Sequence, residues 1–210
     1  MKIDSRQYME YIARVAKKIE ENKDYVTELD SVTGDGDHWA NMDMGFRKLV
    51  DNRAELEILP IGELFKKLGM LIMSAVGGSS GVLYGSAYIK ASQTIGSAPC
   101  LDLPLLCAVL DAELQAIMVR GNAKPGYKTM IDSLSPAVDA MKAALALGVN
   151  EAAALEALKR GAIEGMNSTK AMEAVKGRAT YQSGKGVGHL DPGAVTMCYQ
   201  LETLADFLRE

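Results

Sequence analysis

Apolar residues recur every three or four positions along most of the chain, which is the period of an amphipathic α-helix. Near the N-terminus, the spacing of Tyr8, Ile12, Val15 and Ile19 predicts a helix that begins at Asp4 or Ser5. The same period continues in further segments, which span residues 42–50, 64–75, 79–89, 104–117, 130–145, 151–167 and 192–210. No stretch alternates apolar and polar residues as a half-buried strand does, so the pattern predicts about eight helices and no sheet.

Glycine and proline separate these segments. Gly77-Gly78 ends one helix, and Pro192 stands at the first position of the last helix, behind Asp191 as its N-cap. Short connections favour antiparallel neighbours, so we expect an all-α, up-and-down bundle or barrel that forms a single domain over residues 1–210. The longest irregular stretch, residues 177–190, is rich in glycine and polar residues, and long loops of this kind are often functional lids.

Composition excludes several classes of protein. The net charge of −4 argues against a nucleic-acid partner, because binding phosphates needs concentrated lysine and arginine. Three widely spaced cysteines, Cys100, Cys107 and Cys198, indicate neither a zinc site nor a disulfide framework. There is no signal peptide and no apolar run of membrane-spanning length, so we expect no membrane partner and a cytoplasmic protein.

The acidic stretch between Asp30 and His38 carries the most distinctive chemistry. Asp30, Asp35 and Asp37 place three carboxylates within eight residues, in what we expect to be a connector between helices. Mg²⁺ prefers oxygen ligands, so one interpretation is a metal site, with His38 and Asn41 reaching phosphate from the next helix. The other is an N-cap with turn aspartates, which explains one or two of the carboxylates more easily than three. Spacing alone does not decide between them.

Two further glycine-rich junctions offer groups that bind anions. Gly77-Gly78-Ser79-Ser80-Gly81 precedes a helix, whose N–H groups and dipole favour a phosphate, although the same residues also make an ordinary turn. The other junction runs from Gly177 to Gly193, and its Arg178 is a candidate to pair with a phosphate. Asp191 either caps its own helix, contacts a metal or binds a ribose. The three junctions together favour an anion and metal site at one end of the bundle.

These motifs, in this order, closely resemble the nucleotide-binding L subunit of bacterial dihydroxyacetone kinases. The resemblance covers nearly the whole chain, through the blocks Gly34-Asp35-Gly36-Asp37-His38, Asn41-Met42, Gly45-Phe46, Val76-Gly77-Gly78-Ser79-Ser80-Gly81, Tyr84-Gly85, Arg120-Gly121, Pro125-Gly126, Lys128-Thr129-Met130, Lys176-Gly177-Arg178-Ala179, Gly188-His189 and Asp191-Pro192-Gly193-Ala194. It implies an eight-helix barrel that binds ADP or ATP at one end through two Mg²⁺ ions.

The resemblance also implies roles for individual residues. Asp30, Asp35 and Asp37 match the family's metal ligands. The positions that match nucleotide contacts are His38, Asn41, Ser79, Ser80, Gly121, Met130, Arg178, Asp191 and Gly193. None of the matched positions is a catalytic nucleophile. The implied activity is phosphotransfer to dihydroxyacetone, which a separate K subunit holds covalently.

The resemblance leaves the phosphoryl donor and the substrate open. In the phosphotransferase-system branch, an M subunit rephosphorylates ADP in place, and a free-standing chain of 210 residues favours this branch. The alternatives are an ATP-dependent kinase subunit for another short ketose, such as erythrulose, or a non-catalytic nucleotide-binding module that signals to a transcription regulator. Trp39 stands where family members commonly carry glycine, and its indole either reshapes the phosphate pocket or packs under it.

Overall fold

A computed structural model describes residues 1–210, and α-helices are the main elements of the chain. The ten helices are α1 (Ser5–Glu21), α2 (Lys23–Thr33), α3 (His38–Asp51), α4 (Arg53–Leu56), α5 (Ile61–Ala75), α6 (Gly78–Ile95), α7 (Leu103–Gly121), α8 (Ile131–Ala146), α9 (Glu151–Ser168) and α10 (Pro192–Phe207). Short 3₁₀ turns occupy Thr169–Ala171, Arg178–Tyr181 and Ser183–Gly186. The only β-type pairing is one isolated bridge between Ile3 and Leu101. The prediction of an all-α fold is confirmed.

The two helices beyond the predicted eight are α2 and α4. The sequence predicted a connector around Asp30, and this is wrong. Helix α2 begins at Lys23, so Asp30 lies in its last turn. Of the residues that α2 buries, which are Val26, Asp30 and Thr33, only one is apolar. The buried face of α2 therefore shows no regular apolar period. Helix α4 has four residues, which is too short for any period to appear.

Polar side chains and prolines set the starts of α7 and α10, and the prediction for α10 is confirmed. Asp102 caps α7 by accepting a hydrogen bond from the N–H of Leu105 at 2.9 Å, with Pro104 in the first turn. Asp191 caps α10 in the same manner, and Pro192 is its first residue. None of the ten helices combines the length and apolarity that a membrane crossing requires.

The chain divides into two compact units, and the single-domain prediction stays a prediction. Unit 1 comprises Met1–Lys17 and Asn41–Asn122. Its core contains an aromatic cluster in which the Phe65 ring lies 4.4 Å from that of Tyr8 and 5.8 Å from that of Tyr88, measured between centroids. Helices α1, α5 and α6 contribute one ring each, so the cluster ties three helices of this unit together.

Unit 2 comprises Lys18–Ala40 and Ala123–Glu210, and helices α8, α9 and α10 are its longest elements. Helix α9 packs closely on α8 because Gly161 and Gly165 face the backbone carbonyls of Pro136 and Asp132. A Cβ atom at either glycine would collide with these carbonyls. Since α8 continues through Pro136, the close approach of α9 occurs beside a position that cannot donate a backbone hydrogen bond.

Candidate functional site

The three aspartates of the acidic stretch meet at the end of α2, in unit 2. One carboxylate oxygen from each of Asp30, Asp35 and Asp37 lies within 4.8 Å of the other two. Asp30 is only 6% exposed, whereas Asp35 and Asp37 are open to solvent. Carboxylates this close repel one another, so the donor set suits a cation with a preference for oxygen. We call these three residues the acid cluster.

Glycine makes the tight path of the acid cluster possible. Gly34 follows α2, and its N–H donates to the carbonyl of Asp30 at 2.5 Å. A Cβ atom at this position would collide with the Asp30 carboxylate. Gly36 adopts a φ of +78°, in the left-handed region that favours glycine. The alternation of glycine and aspartate in the sequence therefore has a steric cause.

Arg178 lies against the acid cluster. Its Nη2 atom is 2.8 Å from Oδ2 of Asp35, and the two side chains are 65% and 37% exposed. The residue begins the 3₁₀ turn Arg178–Tyr181, directly after Gly177 with a φ of +77°. The structure thus brings Arg178 to the aspartates, although the two are far apart in sequence.

His38 is held at two points. Its backbone N–H donates to Oδ2 of Asp30 at 3.0 Å, and its Nε2 atom lies 2.9 Å from the hydroxyl of Thr196 on α10. Burial lowers the pKa of His38, and the negative charge of Asp30 opposes this only in part. The imidazole is therefore mainly neutral at pH 7.

The side chain of Trp39 points to the junction of α1 and α2. Its indole N–H donates to the carbonyl of Ile19 at 3.0 Å, and the Lys23 ammonium lies 4.8 Å from the ring centroid. Of the two interpretations that the sequence left open for Trp39, these contacts favour packing.

Asp191, Gly193 and Met130 form a second group in unit 2, at the N-terminus of α10. A Cβ atom at Gly193 would lie 3.0 Å from Oδ2 of Asp191 and 3.6 Å from the backbone nitrogen of Met130. Asp191 caps α10 through a 2.7 Å hydrogen bond from Ala194. The pKa of the Asp191 carboxyl is raised to about 7, mainly by burial. The hydrogen bond from Ala194 and the charge of Lys128 lower it, and the charges of Asp132 and Asp30 raise it.

Lys128 is a residue of this region that the sequence analysis did not assign. It is 1% exposed, and its ammonium donates to the carbonyls of Thr169 at 2.5 Å and His189 at 2.6 Å. These carbonyls belong to the two ends of the stretch that joins α9 to α10, which we call the 169–189 segment. The pKa of Lys128 is lowered. Burial lowers it more than the negative charges of Asp191 and Asp132 raise it.

The remaining predicted nucleotide contacts lie in unit 1. Ser79 and Ser80 occupy the first turn of α6, behind the glycine N-cap Gly77, and their hydroxyls make no hydrogen bond within the chain. Asn41 lies in the first turn of α3, and Gly121 is the last residue of α7. The structure therefore gathers the predicted residues of unit 2 around the acid cluster and the start of α10. That those of unit 1 share the same site stays a prediction.

Comparisons with known proteins agree with the motifs. Residues 32–206 match the family model described as the DAK2 domain. The chain is 34% identical over 205 residues to the "PEP-dependent dihydroxyacetone kinase, ADP-binding subunit DhaL" of Escherichia coli (strain K12), across 98% of both chains. It is 36% identical over 204 residues to the "PTS-dependent dihydroxyacetone kinase, ADP-binding subunit DhaL" of Lactococcus lactis subsp. lactis (strain IL1403), across 94% of this chain and 95% of the relative.

A solved structure has the same fold. The crystal structure of the dihydroxyacetone kinase from C. freundii in complex with AMP-PNP and Mg²⁺ matches with a TM-score of 0.75 and 24% sequence identity. The match covers 94% of this chain and 33% of that one. At this identity the likeness shows the fold alone, and the family follows from the sequence matches.

Proposed function

The chain belongs to the DAK2 domain family, and on this basis we propose that it is the ADP-binding subunit of a dihydroxyacetone kinase. It would hold the nucleotide and Mg²⁺ and would deliver a phosphoryl group to a ketone bound on a separate K subunit. We favour the branch in which an M subunit of the phosphotransferase system rephosphorylates the bound ADP. The names of the E. coli and L. lactis relatives, which are PEP-dependent and PTS-dependent, support this choice.

The observation that carries the proposal is the convergence of the acid cluster. Three carboxylate oxygens within 4.8 Å of one another form a donor set that fits Mg²⁺, which is usually bound by a few carboxylates together with phosphate oxygens. Asp30, Asp35 and Asp37 would hold the metal. When bound, Mg²⁺ would offset the negative charge of the nucleotide phosphates, which phosphoryl transfer requires.

Arg178 supplies a second positive charge at the same place. Its ion pair with Asp35 is largely exposed and therefore contributes little to stability. The guanidinium can therefore exchange the carboxylate for a phosphate oxygen, to which it can form two parallel hydrogen bonds. We propose that Arg178 changes partner in this way when Asp35 binds the metal.

The start of α10 favours a bound anion as well. Free N–H groups and the helix dipole make a helix N-terminus a good environment for negative charge. We propose that Asp191, Gly193 and Met130 contact the sugar and base of the nucleotide, together with His38. That Asn41, Ser79, Ser80 and Gly121 of unit 1 also contact the nucleotide stays a prediction. The partner subunits and a cytoplasmic location stay predictions.

Calorimetry with ADP and Mg²⁺ tests the site. Asp35→Asn and Asp37→Asn remove charge from the acid cluster at nearly constant shape, so Mg²⁺-dependent ADP binding should weaken by about 100-fold or more. Asp24→Asn is the matched control, because Asp24 is an exposed aspartate of α2 outside the cluster. It should change the affinity by less than about twofold. Unchanged affinity in both cluster variants would show that these aspartates only form a turn.

A phosphotransfer assay tests the activity itself. The protein is combined with a K subunit and dihydroxyacetone, with either a phosphorylated M subunit or ATP as the donor. Dihydroxyacetone phosphate formed with the M subunit supports the proposal. Product formed only with ATP, or only with a different ketose such as erythrulose, corrects the donor or the substrate. No product under any of these conditions contradicts the kinase function.

A further inference from the structure

The buried ammonium of Lys128 joins the two ends of the 169–189 segment. It donates to the carbonyl oxygens of Thr169 at 2.5 Å and of His189 at 2.6 Å. The segment folds around the stem of this lysine, because a Cβ atom at Gly186 would lie 2.9 Å from Lys128 Cε. Lys128 is only 1% exposed, so it offers almost no surface to a bound nucleotide. Any effect of Lys128 on binding must therefore pass through other residues.

One buried carboxylate braces the turn that carries Lys128. Oδ1 of Asp132 accepts a hydrogen bond from the N–H of Gly126, and Oδ2 accepts one from the N–H of Thr129 at 2.7 Å. Between these two donors, Lys128 has a φ of +59°, in the left-handed region that residues other than glycine rarely adopt. Such conformations persist only where the surrounding structure imposes them, and they cluster at functional sites. The braced turn therefore imposes the position of Lys128.

Further backbone hydrogen bonds close the 169–189 segment from its base toward Arg178. They run from the N–H of Gly188 to the carbonyl of Lys170 at 2.8 Å, from Ala174 to Lys185 at 3.0 Å and from Val175 to Tyr127 at 3.2 Å. Arg178 follows shortly after the last of these donors, and its guanidinium lies 2.8 Å from the carboxylate of Asp35. All of these residues belong to unit 2. The closed segment thus connects Lys128 to the acid cluster.

We infer that Lys128 is a positioning residue, which keeps the 169–189 segment closed and thereby holds Arg178 beside the acid cluster. Without the ammonium, the carbonyls of Thr169 and His189 lose their common donor, and open arrangements of the segment become more populated. A ligand binds more weakly when the binding-competent state is only partly populated. Lys128 would therefore raise nucleotide affinity without touching the nucleotide. This effect on binding rests on the proposed function, whereas the closure of the segment does not.

Amide hydrogen exchange without nucleotide measures the closure directly. Lys128→Met keeps the length of the side chain and removes the ammonium. At low urea concentrations, exchange that does not depend on urea reports local opening and not global unfolding. We expect such exchange at the N–H groups of Ala174 and Gly188 to become about tenfold faster or more. Unchanged protection in Lys128→Met would overturn the inference. The exposed Lys124→Met is the control, and its exchange should stay within about twofold of wild type.

Asp132→Asn tests the same closure through the brace of the turn. Its side-chain amide has one oxygen, so it cannot accept both hydrogen bonds as the carboxylate does. The turn should loosen, and exchange at Ala174 and Gly188 should become about threefold faster or more. Circular dichroism checks that each variant is folded. If Lys128→Met does not fold, Asp132→Asn decides, and unchanged protection there would overturn the inference.

A double-mutant cycle with Arg178 separates positioning from a general loss of stability. In calorimetry on folded protein, Lys128→Met and Arg178→Ala should each weaken Mg²⁺-dependent ADP binding by about tenfold. Because both would act through the same guanidinium, the combined variant should bind within about threefold of Arg178→Ala alone.

Two results of this cycle would contradict the positioning of Arg178. A lysine with only a structural role would leave the affinity of the folded Lys128→Met protein unchanged. Effects that simply multiply in the combined variant would mean that the two residues act independently. If the wild-type protein binds no ADP at all, the proposed function fails, and hydrogen exchange still decides whether Lys128 closes the segment.

Discussion

The two units differ in what they bury. The buried polar and charged residues are Ser5, Asp30, Thr33, Lys128, Asp132, Ser133, Thr169, Thr196 and Gln200. All except Ser5 belong to unit 2, whereas the core of unit 1 is almost entirely apolar and aromatic. Burying a polar group is unfavourable unless a hydrogen bond compensates, so such groups persist where they position something. The comparison teaches that unit 1 is built mainly for packing, and unit 2 for holding charged groups in place.

Of the substitutions that test this difference between the units, loss of the Lys128 charge should have the largest effect on the free energy of unfolding. Lys128→Met keeps the length of the side chain but leaves the carbonyls of Thr169 and His189 without their donor, and the nearby Asp132 and Asp191 without a cation. Breaking a buried charged network by removing one partner is strongly destabilising. We expect the free energy of unfolding in urea to fall by about 3 kcal/mol.

Lys124→Met is the matched control, because Lys124 is an exposed lysine of the same loop. It should change the unfolding free energy by less than about 0.5 kcal/mol. Equal effects of the two substitutions would mean that the buried ammonium does not stabilise unit 2, and that polar burial there has no positioning role.

Glu113 is a half-buried carboxyl of unit 1, and its replacement should have an intermediate effect. Burial raises the pKa of this carboxyl on α7 to about 8, beside Tyr8, Tyr11 and Tyr88. The unfolded chain releases this proton near pH 4.5, so the folded state binds more protons between the two values. The stabilisation is complete below about pH 4.5 and is lost as the pH rises through 8.

Glu113→Gln cannot ionise and should remove this pH dependence. The variant should be more stable than wild type at pH about 9, on the order of 2 kcal/mol, and similar to it at pH about 4.5. Unfolding free energies measured across this range check the prediction, with the exposed Glu63→Gln on α5 as the control. Parallel pH profiles for wild type and Glu113→Gln would show that the carboxyl ionises without cost in the folded protein.

Replacement of Trp39 should have the smallest effect. Trp39→Phe loses the hydrogen bond to the Ile19 carbonyl and weakens the contact with the Lys23 ammonium. We expect a loss of about 1 kcal/mol in unfolding free energy and a change of less than about twofold in ADP affinity. A tenfold loss of affinity with little change in stability would instead show that the indole shapes the nucleotide site.

Helical periodicity was sufficient to predict the fold class, because eight of the ten helices bury regular apolar positions. It failed for α2, where Asp30 and Thr33 occupy buried positions that apolar residues would normally fill. The aspartates of the acid cluster could be found because they are neighbours in sequence. Lys128 could not, since its partners lie 41 and 61 residues away and a single lysine has no periodic signature.

The Lys128 contacts have a consequence for engineering and divergence. One ammonium group binds the carbonyls at both ends of the 169–189 segment, so the segment is a closed loop with a fixed base. The entropy of closing a loop grows slowly with its length. Residues 182–184, which are exposed and follow the turn that carries Arg178, should therefore tolerate insertions or a fluorescent label. Such a change at the tip would leave the start of α10 where it is, so the loop can vary independently of the helix beside it.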